Sequence, residues 1–290
     1  MKFTIDKEGT LLPFLFSAMP EKSRTTVKSY LTHSQVSVNG CVTTRFDHPL
    51  EKGDTVAVSR EKGRAQFRHP LMRIIYEDEY VIVVDKRNGL LSIGTDKEQK
   101  KTAFYLLSDY VKRSDPGAKI FVVHRLDRET SGLMIFARDQ QTQEALQRSW
   151  KSLVRDRRYV AVTEGSLPGE EGVITSRLTE DKNRKVWASP KGEGPEATTY
   201  YTVIKKNRIY SMSDLKLETG KKNQIRAHME WKGCPIAGDK KYGAKTNPAG
   251  RVCLHAYKLT FLHPATGEEL DFTLPIPADF TAIINRDGKE

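Results

Sequence analysis

The sequence has little cysteine, and it lacks features that mark several common classes of protein. Cys41, Cys234 and Cys253 are far apart in a chain of 290 residues. This spacing gives neither a disulfide framework nor a zinc site and is typical of a reducing compartment. No apolar run is long enough to span a membrane, and the N-terminus has no signal-peptide segment. We therefore expect a cytoplasmic protein that does not bind membranes.

Positive charge is what the sequence has in excess. There are 48 Lys and Arg residues against 37 Asp and Glu, which gives a net charge of +11. Such an excess favours a polyanionic partner, most commonly nucleic acid, although a basic surface can also serve solubility alone. The length allows one large domain or two of unequal size.

Motifs that hold cofactors are absent from the sequence. It contains no glycine-rich phosphate loop and no dinucleotide-binding fingerprint, and its histidines are dispersed rather than spaced as metal ligands. The sequence thus predicts a protein with no metal and no other cofactor. The histidines are expected to be structural or to contact RNA.

Residues 1–62 resemble a separate module. Apolar residues recur at helical spacing near its start, and Ser23 is placed to cap a second helix. The Asn39-Gly40 pair between short alternating segments predicts a β-hairpin. On the second helix Arg24 and Lys28 are four residues apart and share one face. There they could bind the phosphates of a structured RNA, or they could simply be solvated.

Residues 63–72 are polar and basic and are interpreted as a linker. In the second domain, 73–290, strand-like segments outnumber helices and do not alternate regularly with them. This pattern predicts an α+β domain built on a mixed, largely antiparallel sheet. Helices are expected at 142–153 and 224–232. The segment from 181 to 196 is interpreted as a mobile basic loop over RNA, and the alternative is a simple hairpin connection.

The most informative motif is HRLDRETSG, which ends at Gly132. Asp127 lies between Arg125 and Arg128, and strand-like apolar runs precede and follow the motif. A charged loop between two strands often holds a reactive side chain at a sheet edge. A neighbouring guanidinium stabilises an ionised carboxylate, which suits a nucleophile or a base better than a general acid. A structural ion pair is the alternative.

Two further motifs follow in the same domain. Tyr159 stands in RRYVAV, and Arg226 stands in TGKKNQIRAH, which GCPIAGDKKYG follows. The fork of Arg226 could bind both oxygens of a buried carboxylate. Taken singly, Tyr159 could be a core tyrosine, and Arg226 could be a phosphate contact or a structural salt bridge.

Together these motifs resemble the RluA-type family of RNA pseudouridine synthases. The resemblance rests on HRLDRETSGLMIFARD, on the tyrosine of RRYVAV 32 residues after the aspartate, and on TGKKNQIRAH, GCPIAGDKKYG and LHAYKLTFLHP. These run in the order of the family from about Ile74 to Pro275. In front of them, SRTTVKSYL, VSVNG and LEKGDTVAV resemble the S4 RNA-binding domain, which is usual in this family.

The resemblance implies isomerisation of uridine to pseudouridine within RNA. Asp127 matches the catalytic aspartate, which either attacks C1′ or removes a proton from C2′. Tyr159 matches the tyrosine that stacks on the uracil and helps to remove the C5 proton. Arg226 matches the basic residue that pairs with the aspartate, and Arg125 matches the arginine that helps to fill the space left by the flipped nucleotide.

The resemblance also implies the pocket and the partner. Leu217 and Ile225 are expected to form an apolar wall. Flipping a uridine out of a helix costs roughly a few kcal/mol, and stacking on an aromatic ring recovers about 1–3 kcal/mol. The expected substrate is structured RNA, with ribosomal RNA first and transfer RNA second. A monomer is expected, and the reaction needs no metal, nucleotide or redox group.

The sequence departs from the family at two motifs. The usual Lys-Pro-x-Gly is Lys86-Arg87-Asn88-Gly89, and the usual Gly-Arg-Thr-His-Gln-Ile-Arg has Lys221-Lys222-Asn223 in its centre. Lys221 and Lys222 are expected to strengthen contacts with the RNA backbone without specifying a sequence. The altered turn is expected to affect the choice of substrate more than the reaction.

Three other classes of function fit parts of the sequence. A non-catalytic RNA-binding or ribosome-assembly protein could keep the fold, but it would not need Asp127, Tyr159 and Arg226 together. His-Arg-x-Asp also occurs in kinase catalytic loops, yet no glycine-rich loop and no Asp-Phe-Gly accompany it. A glycosidase could use Asp127 with Glu129, but the basic charge and the RNA-binding module disfavour it.

Overall fold

The computed structural model describes residues 1–32, 35–59, 67–96 and 98–286. The chain divides into two compact units, one of Met1–Arg68 with Leu106–Lys119 and one of His69–Tyr105 with Ile120–Glu290. Of the segment interpreted as a linker, residues 63–66 lie outside the described residues. Within the described part, no helix is both long enough and apolar enough to cross a membrane.

The first unit is a small antiparallel sheet with two helices. Its elements are β1 (Lys2–Thr4), β2 (Gly9–Thr10), α1 (Leu11–Ala18), α2 (Arg24–Thr32), β3 (Val36–Val38), β4 (Cys41–Val42), β5 (Pro49–Leu50) and β6 (Thr55–Val58). The sheet has the order β1-β6-β3-β4, and β2 pairs with β5. Apolar side chains from both helices and from the sheet form one buried core.

Local sequence signals explain this unit. The Ser23 hydroxyl oxygen accepts a hydrogen bond from the Thr26 N–H at 3.1 Å and so caps α2. Asn39 and Gly40 have φ angles of 50° and 81°, the left-handed conformations that a tight hairpin turn requires. The predicted helices and hairpin are therefore confirmed.

The second unit is built on one large sheet. A further helix, α3 (Ala103–Ser114), has residues in both units. The other elements are β7 (Met72–Glu77), β8 (Val81–Lys86), β9 (Phe121–Val122), β10 (Ser131–Ala137), α4 (Gln140–Arg148), α5 (Trp150–Leu153), β11 (Val154–Glu164), β12 (Glu171–Glu180), β13 (Val186–Ser189), β14 (Glu196–Lys206), β15 (Tyr210–Leu217), α6 (Gln224–Trp231), β16 (Leu254–Leu262), β17 (Glu269–Thr273) and α7 (Ala278–Asn285).

The strands of this sheet follow the order β13-β12-β14-β15-β11-β16-β10-β8-β7, with β17 beside β16 and β9 beside β10. Strand β10 runs parallel to β16. The other ladders between the described strands of this sheet are antiparallel. The prediction of a mixed, largely antiparallel sheet is confirmed.

The centre of the sheet anchors the Asp127 loop, the segment between β9 and β10. Strands β8 and β10 are buried along their whole length. Gly132 has a φ of 119°, and a Cβ atom there would lie 2.2 Å from the carbonyl oxygen of Ala256. Only glycine permits this approach of β10 to β16. The loop that carries Asp127 therefore starts and ends on well-packed strands.

The predicted helix at 142–153 was wrong in its extent. Asp139 caps α4 by accepting a hydrogen bond from the Thr142 N–H at 2.7 Å, so the helix starts earlier. It ends at Arg148 because Ser149 leaves the helical conformation, with φ −103° and ψ 23°. A separate turn, α5, then begins at Trp150, whose ring packs against His124 at 5.0 Å. This tertiary contact outweighs the local helical pattern.

The segment from 181 to 196 is not a long loop. Its centre forms strand β13, which pairs with β12 as a hairpin. Asp181 closes the turn because its carboxylate accepts hydrogen bonds from the backbone N–H groups of Asn183 and Lys185 at 2.8 and 2.9 Å. The interpretation as a hairpin connection was therefore the correct one.

Candidate active site

A cavity of about 230 Å³ lies between the Asp127 loop and the turn from β15 to α6. We call it the Asp127 pocket. It is lined by Arg125, Leu126, Asp127, Thr130, Tyr159, Leu217, Gly220, Lys221, Lys222, Asn223, Gln224, Ile225, Arg226 and Leu254. The structure thus brings together every site residue predicted in the second domain. Arg24 and Lys28 are exposed on α2 of the first unit.

A buried lysine binds the backbone of the Asp127 loop through hydrogen bonds. Lys86, at the end of β8, is 0% exposed, and its Nζ donates hydrogen bonds to the carbonyl oxygens of Thr130 at 2.6 Å and Asp127 at 3.2 Å. Burial lowers the pKa of Lys86 to about 7. Ser92 fixes the same loop, since its hydroxyl bonds to both backbone groups of Leu126.

Arg226 is the cation that reaches the Asp127 side chain. Its Nη1 lies 3.4 Å from Oδ2 of Asp127, whose side chain is 25% exposed. Its Nε and Nη2 donate to the two oxygens of Asp239 at 2.6 and 2.8 Å. Burial alone would lower the pKa of Arg226, but the hydrogen bond and charge of Asp239 and the charge of Asp127 raise it. Arg226 therefore stays charged.

Asp239 and Tyr242 are site residues that sequence reasoning missed. Asp239 is 1% exposed and immediately precedes a short 3-10 helix that contains Tyr242. The Tyr242 ring lies 4.8 Å from the guanidinium carbon of Arg226, close enough for a cation–π contact. The signal was the motif GCPIAGDKKYG, which was recognised as a cluster without a role for its aspartate.

The turn before α6 is organised by Gln224. Its side-chain oxygen accepts hydrogen bonds from the Lys221 N–H at 3.0 Å and from the Thr219 hydroxyl at 2.8 Å. The two lysines of the turn differ. Lys222 forms an ion pair with Glu180, whereas Lys221 makes no ion pair with any described residue. The altered family motif thus keeps a well-defined turn with one unpaired lysine.

The wall opposite the charges is apolar and aromatic. Tyr159 is 6% exposed and stands on β11 where the register with β16 shifts between Arg158 and Tyr159. Such bulges redirect a side chain. Burial raises the pKa of Tyr159, so its phenol stays neutral at neutral pH. With Leu217 and Ile225 it forms a surface suited to a flat ring.

His124 and His228 of this unit form hydrogen bonds inside the protein. Nε2 of His124 accepts a hydrogen bond from the Ile135 N–H at 3.1 Å, and burial together with the charge of Arg157 lowers the pKa of His124 to about 3. His228 lies between two hydroxyl groups. Across the residues that the structure describes, His, Cys, Asp and Glu side chains do not gather in a group of three or more that could hold a metal.

A carboxylate beside an arginine and an aromatic wall thus line one pocket of a large mixed sheet, as expected from the resemblance. A family model described as RNA pseudouridylate synthase matches residues 80–231. The chain belongs to this family, and it is an RNA pseudouridine synthase, an isomerase.

Individual relatives agree with this assignment. The chain is 32% identical over 282 residues to "Uncharacterized RNA pseudouridine synthase YlyB" of Bacillus subtilis, covering 93% of this chain and 91% of the relative. It is 32% identical over 289 residues to "Ribosomal large subunit pseudouridine synthase D" of Vibrio cholerae, covering 92% and 88%. The structure of "Human RNA Pseudouridylate Synthase Domain Containing 4" has the same fold, with a TM-score of 0.59, 24% identity and coverage of 72% and 90%.

Proposed function

We propose that this chain converts specific uridines of ribosomal RNA to pseudouridine, with Asp127 as its catalytic residue and without a cofactor. The contact of Arg226 with Asp127 beside the Tyr159 wall carries the proposal. Ribosomal RNA is favoured because relatives bear the name ribosomal large subunit pseudouridine synthase D. Transfer RNA is the second candidate.

The reaction balances without an oxidant or a reductant. The bond between N1 of uracil and C1′ of ribose breaks, the uracil turns, and a bond forms between C5 and C1′. C5 loses one proton and N1 gains one, so the product is an isomer of the substrate. Asp127 either attacks C1′ or removes the C2′ proton, and both routes use the ionised carboxylate.

The neighbouring side chains have separate roles. Arg226 orients the Asp127 carboxylate. The neutral Tyr159 ring stacks on the uracil and assists loss of the C5 proton. Leu217 and Ile225 complete the apolar wall, which shields the flipped base from water. Arg125 is exposed at the mouth of the pocket and fills the space that the flipped nucleotide vacates.

The first unit serves as an S4-like RNA-binding domain. Arg24 and Lys28, both exposed on α2, contact phosphates of the structured RNA, and Lys221 adds a phosphate contact at the pocket. The enzyme works as a monomer in the cytoplasm. These contacts set affinity, whereas the Asp127 pocket carries out the chemistry.

Pseudouridine mapping tests the proposal. Total RNA from a strain that lacks the gene should lose one or a few pseudouridines in ribosomal RNA, and the wild-type gene should restore them. Asp127→Ala should not, because no other group supplies the carboxylate. In vitro, release of tritium from [5-³H]uridine in the RNA should fall at least about a thousandfold.

The control separates catalysis from binding. Lys206→Gln, which removes an exposed partner of Glu170, should restore every site. Asp127→Ala should fold and bind RNA like the wild type. Restoration of the modification by Asp127→Ala would show that the protein acts without this carboxylate, as a non-catalytic RNA-binding protein would.

A further inference from the structure

Two more cavities adjoin the Asp127 pocket. The larger, about 540 Å³, we call the Arg251 cleft. It shares Asp127 and Arg226 with the pocket, so the reactive carboxylate stands where the two spaces meet. A nucleotide whose base filled the pocket would thus direct its sugar and phosphate toward this cleft.

The Arg251 cleft carries an excess of positive charge. Six cationic side chains and three carboxylates line it. Arg226 already contacts two of those carboxylates, Asp127 and Asp239, which leaves Glu129 against the other five cations. Lys240 is exposed there and makes no ion pair with a described residue. The cleft therefore attracts an anion.

Arg251 itself is the most unusual of these cations. It is half-buried, its Nη2 donates to the Ser131 hydroxyl at 2.6 Å, its Nε donates to the Val252 carbonyl at 3.2 Å, and its guanidinium lies 5.1 Å from the Phe280 ring centre. No carboxylate of the described residues lies within 4 Å of it. A partly desolvated charge with no carboxylate in direct contact is unfavourable by itself, and a bound anion would relieve it.

A smaller cavity of about 210 Å³, the Trp150 cleft, also adjoins the Asp127 pocket. It shares Leu217 with the Asp127 pocket. Four cationic side chains and one carboxylate line it. Arg157 packs over the Trp150 ring at 5.6 Å, while Lys151 and Arg155 are exposed and make no ion pair with the described residues. This cleft is also prepared for an anion.

We propose that the Arg251 cleft and the Trp150 cleft bind the phosphates on the two sides of the target nucleotide, with Arg251 as the main anchor. This inference rests on the proposed function. A strand whose base enters the Asp127 pocket continues from it in both directions, and the two cavities that share residues with the pocket are both basic. Arg251 is already ordered by Ser131 and Phe280, so it loses little side-chain entropy on binding.

Kinetics on ribosomal RNA from the deletion strain, labelled with [5-³H]uridine, test the inference. Arg251→Gln should raise KM about tenfold, as expected for loss of a charge-assisted hydrogen bond, and change kcat less than threefold. Arg155→Gln should raise KM about threefold. The matched control, Lys206→Gln, lies outside the three cavities and should leave both constants unchanged.

Binding supplies a readout that does not depend on catalysis. The probe is a fluorescent decamer of uridine, bound to the full chain at several salt concentrations. Loss of one phosphate contact should reduce the slope of log K against log salt by about 0.7 for single-stranded RNA. Arg251→Gln and Lys240→Gln should each show this reduction. The exposed Lys240 side chain makes no hydrogen bond to a described residue, so its variant keeps the test valid if Arg251→Gln folds poorly.

The outcomes separate the two proposals. Unchanged KM and salt slopes in the Arg251, Lys240 and Arg155 variants would overturn the inference, while an active wild type would keep the proposed function. A loss confined to kcat would assign Arg251 to the shaping of the pocket and would also overturn it. If wild type were inactive on ribosomal RNA, the proposed function would fail, and the decamer slopes would still decide the role of the clefts.

Discussion

Two arginines near the same carboxylate have opposite surroundings. Arg226 is 7% exposed and contacts two carboxylates, those of Asp239 and Asp127. Arg251 is half-buried and contacts a hydroxyl, backbone carbonyls and an aromatic ring, with no carboxylate of the described residues within 4 Å. Both line the Arg251 cleft.

The difference separates two uses of a buried positive charge. Asp239 takes two of the donors of Arg226 and leaves Nη1 for Asp127, so the charge of this arginine is directed to the carboxylate of the proposed chemistry. Arg251 has no such partner, so its charge is available to the substrate. Solvent-excluded ion pairs are strong only when their geometry is maintained, and Tyr242 and Asp239 maintain that of Arg226.

The largest expected effect comes from removing the better-paired arginine. Arg226→Met leaves Asp239 buried without a counter-charge, which should lower the free energy of unfolding by about 3–5 kcal/mol and abolish activity. Arg251→Met breaks no ion pair and should cost less than about 2 kcal/mol. Denaturant unfolding followed by tryptophan fluorescence measures this, since Trp150, Trp187 and Trp231 all lie in the second unit. Equal costs would contradict the comparison.

A smaller effect is expected from Asp239→Asn. The shape is kept, but Arg226 loses the charge that orients it toward Asp127. Because a displacement of about 1 Å can cost about a hundredfold in rate, we expect kcat to fall between about tenfold and a hundredfold with KM nearly unchanged. Glu144→Gln, which disrupts an exposed helical ion pair with Arg148, is the control. A rise in KM with unchanged kcat would assign Asp239 to RNA binding.

The smallest effect is a pH dependence beside Arg251. Nδ1 of His255 bonds to Ser131 at 2.8 Å, and burial, then the charges of Arg251 and Arg87, lower the pKa of His255 to about 4 from its ordinary 6.5. The unfolded chain therefore binds the proton first. The contribution of His255 to stability is complete above pH 6.5 and decreases as the pH falls toward 4, by at most about 3 kcal/mol.

Two variants check the source of this acid sensitivity. His255→Gln should flatten the decrease between pH 6.5 and 4 in unfolding experiments. Arg251→Gln should reduce it, since loss of that charge raises the pKa of His255. If the free energy of unfolding fell by the same amount between pH 6.5 and 4 in both variants, the acid sensitivity would come from other groups.

The elements of the fold that follow local chemistry could be predicted. The Asn39-Gly40 hairpin and the capped helix after Ser23 depend on contacts within a few residues, and the structure has both. The prediction of one helix at 142–153 was wrong near Trp150, whose ring packs against His124, a residue distant in the sequence. Strand β13 was not predicted, because its four residues give little pattern and its pairing with β12 defines it.

The residues of the candidate site also include some that the sequence predicted and some that it did not. Asp127, Tyr159 and Arg226 were predicted from motifs and family resemblance, and they line one pocket. Asp239 and Lys86 were not predicted as site residues, although both stand in motifs that the sequence displays. An aspartate that orients an arginine and a lysine that binds carbonyl oxygens are recognised only by their partners, and those partners are far away in the chain.

By itself the sequence determined the family, because HRLDRETSG, RRYVAV and TGKKNQIRAH resemble the motifs of the RNA pseudouridine synthases. It also determined the local hairpins and caps. The resemblance predicted that Arg226 pairs with Asp127, and only the tertiary structure showed that Asp239 also binds Arg226 and that Arg251 has no carboxylate of the described residues within 4 Å. Arg226 and Arg251 have the same side chain and differ only in what the fold packs against them, and burial makes that difference strong.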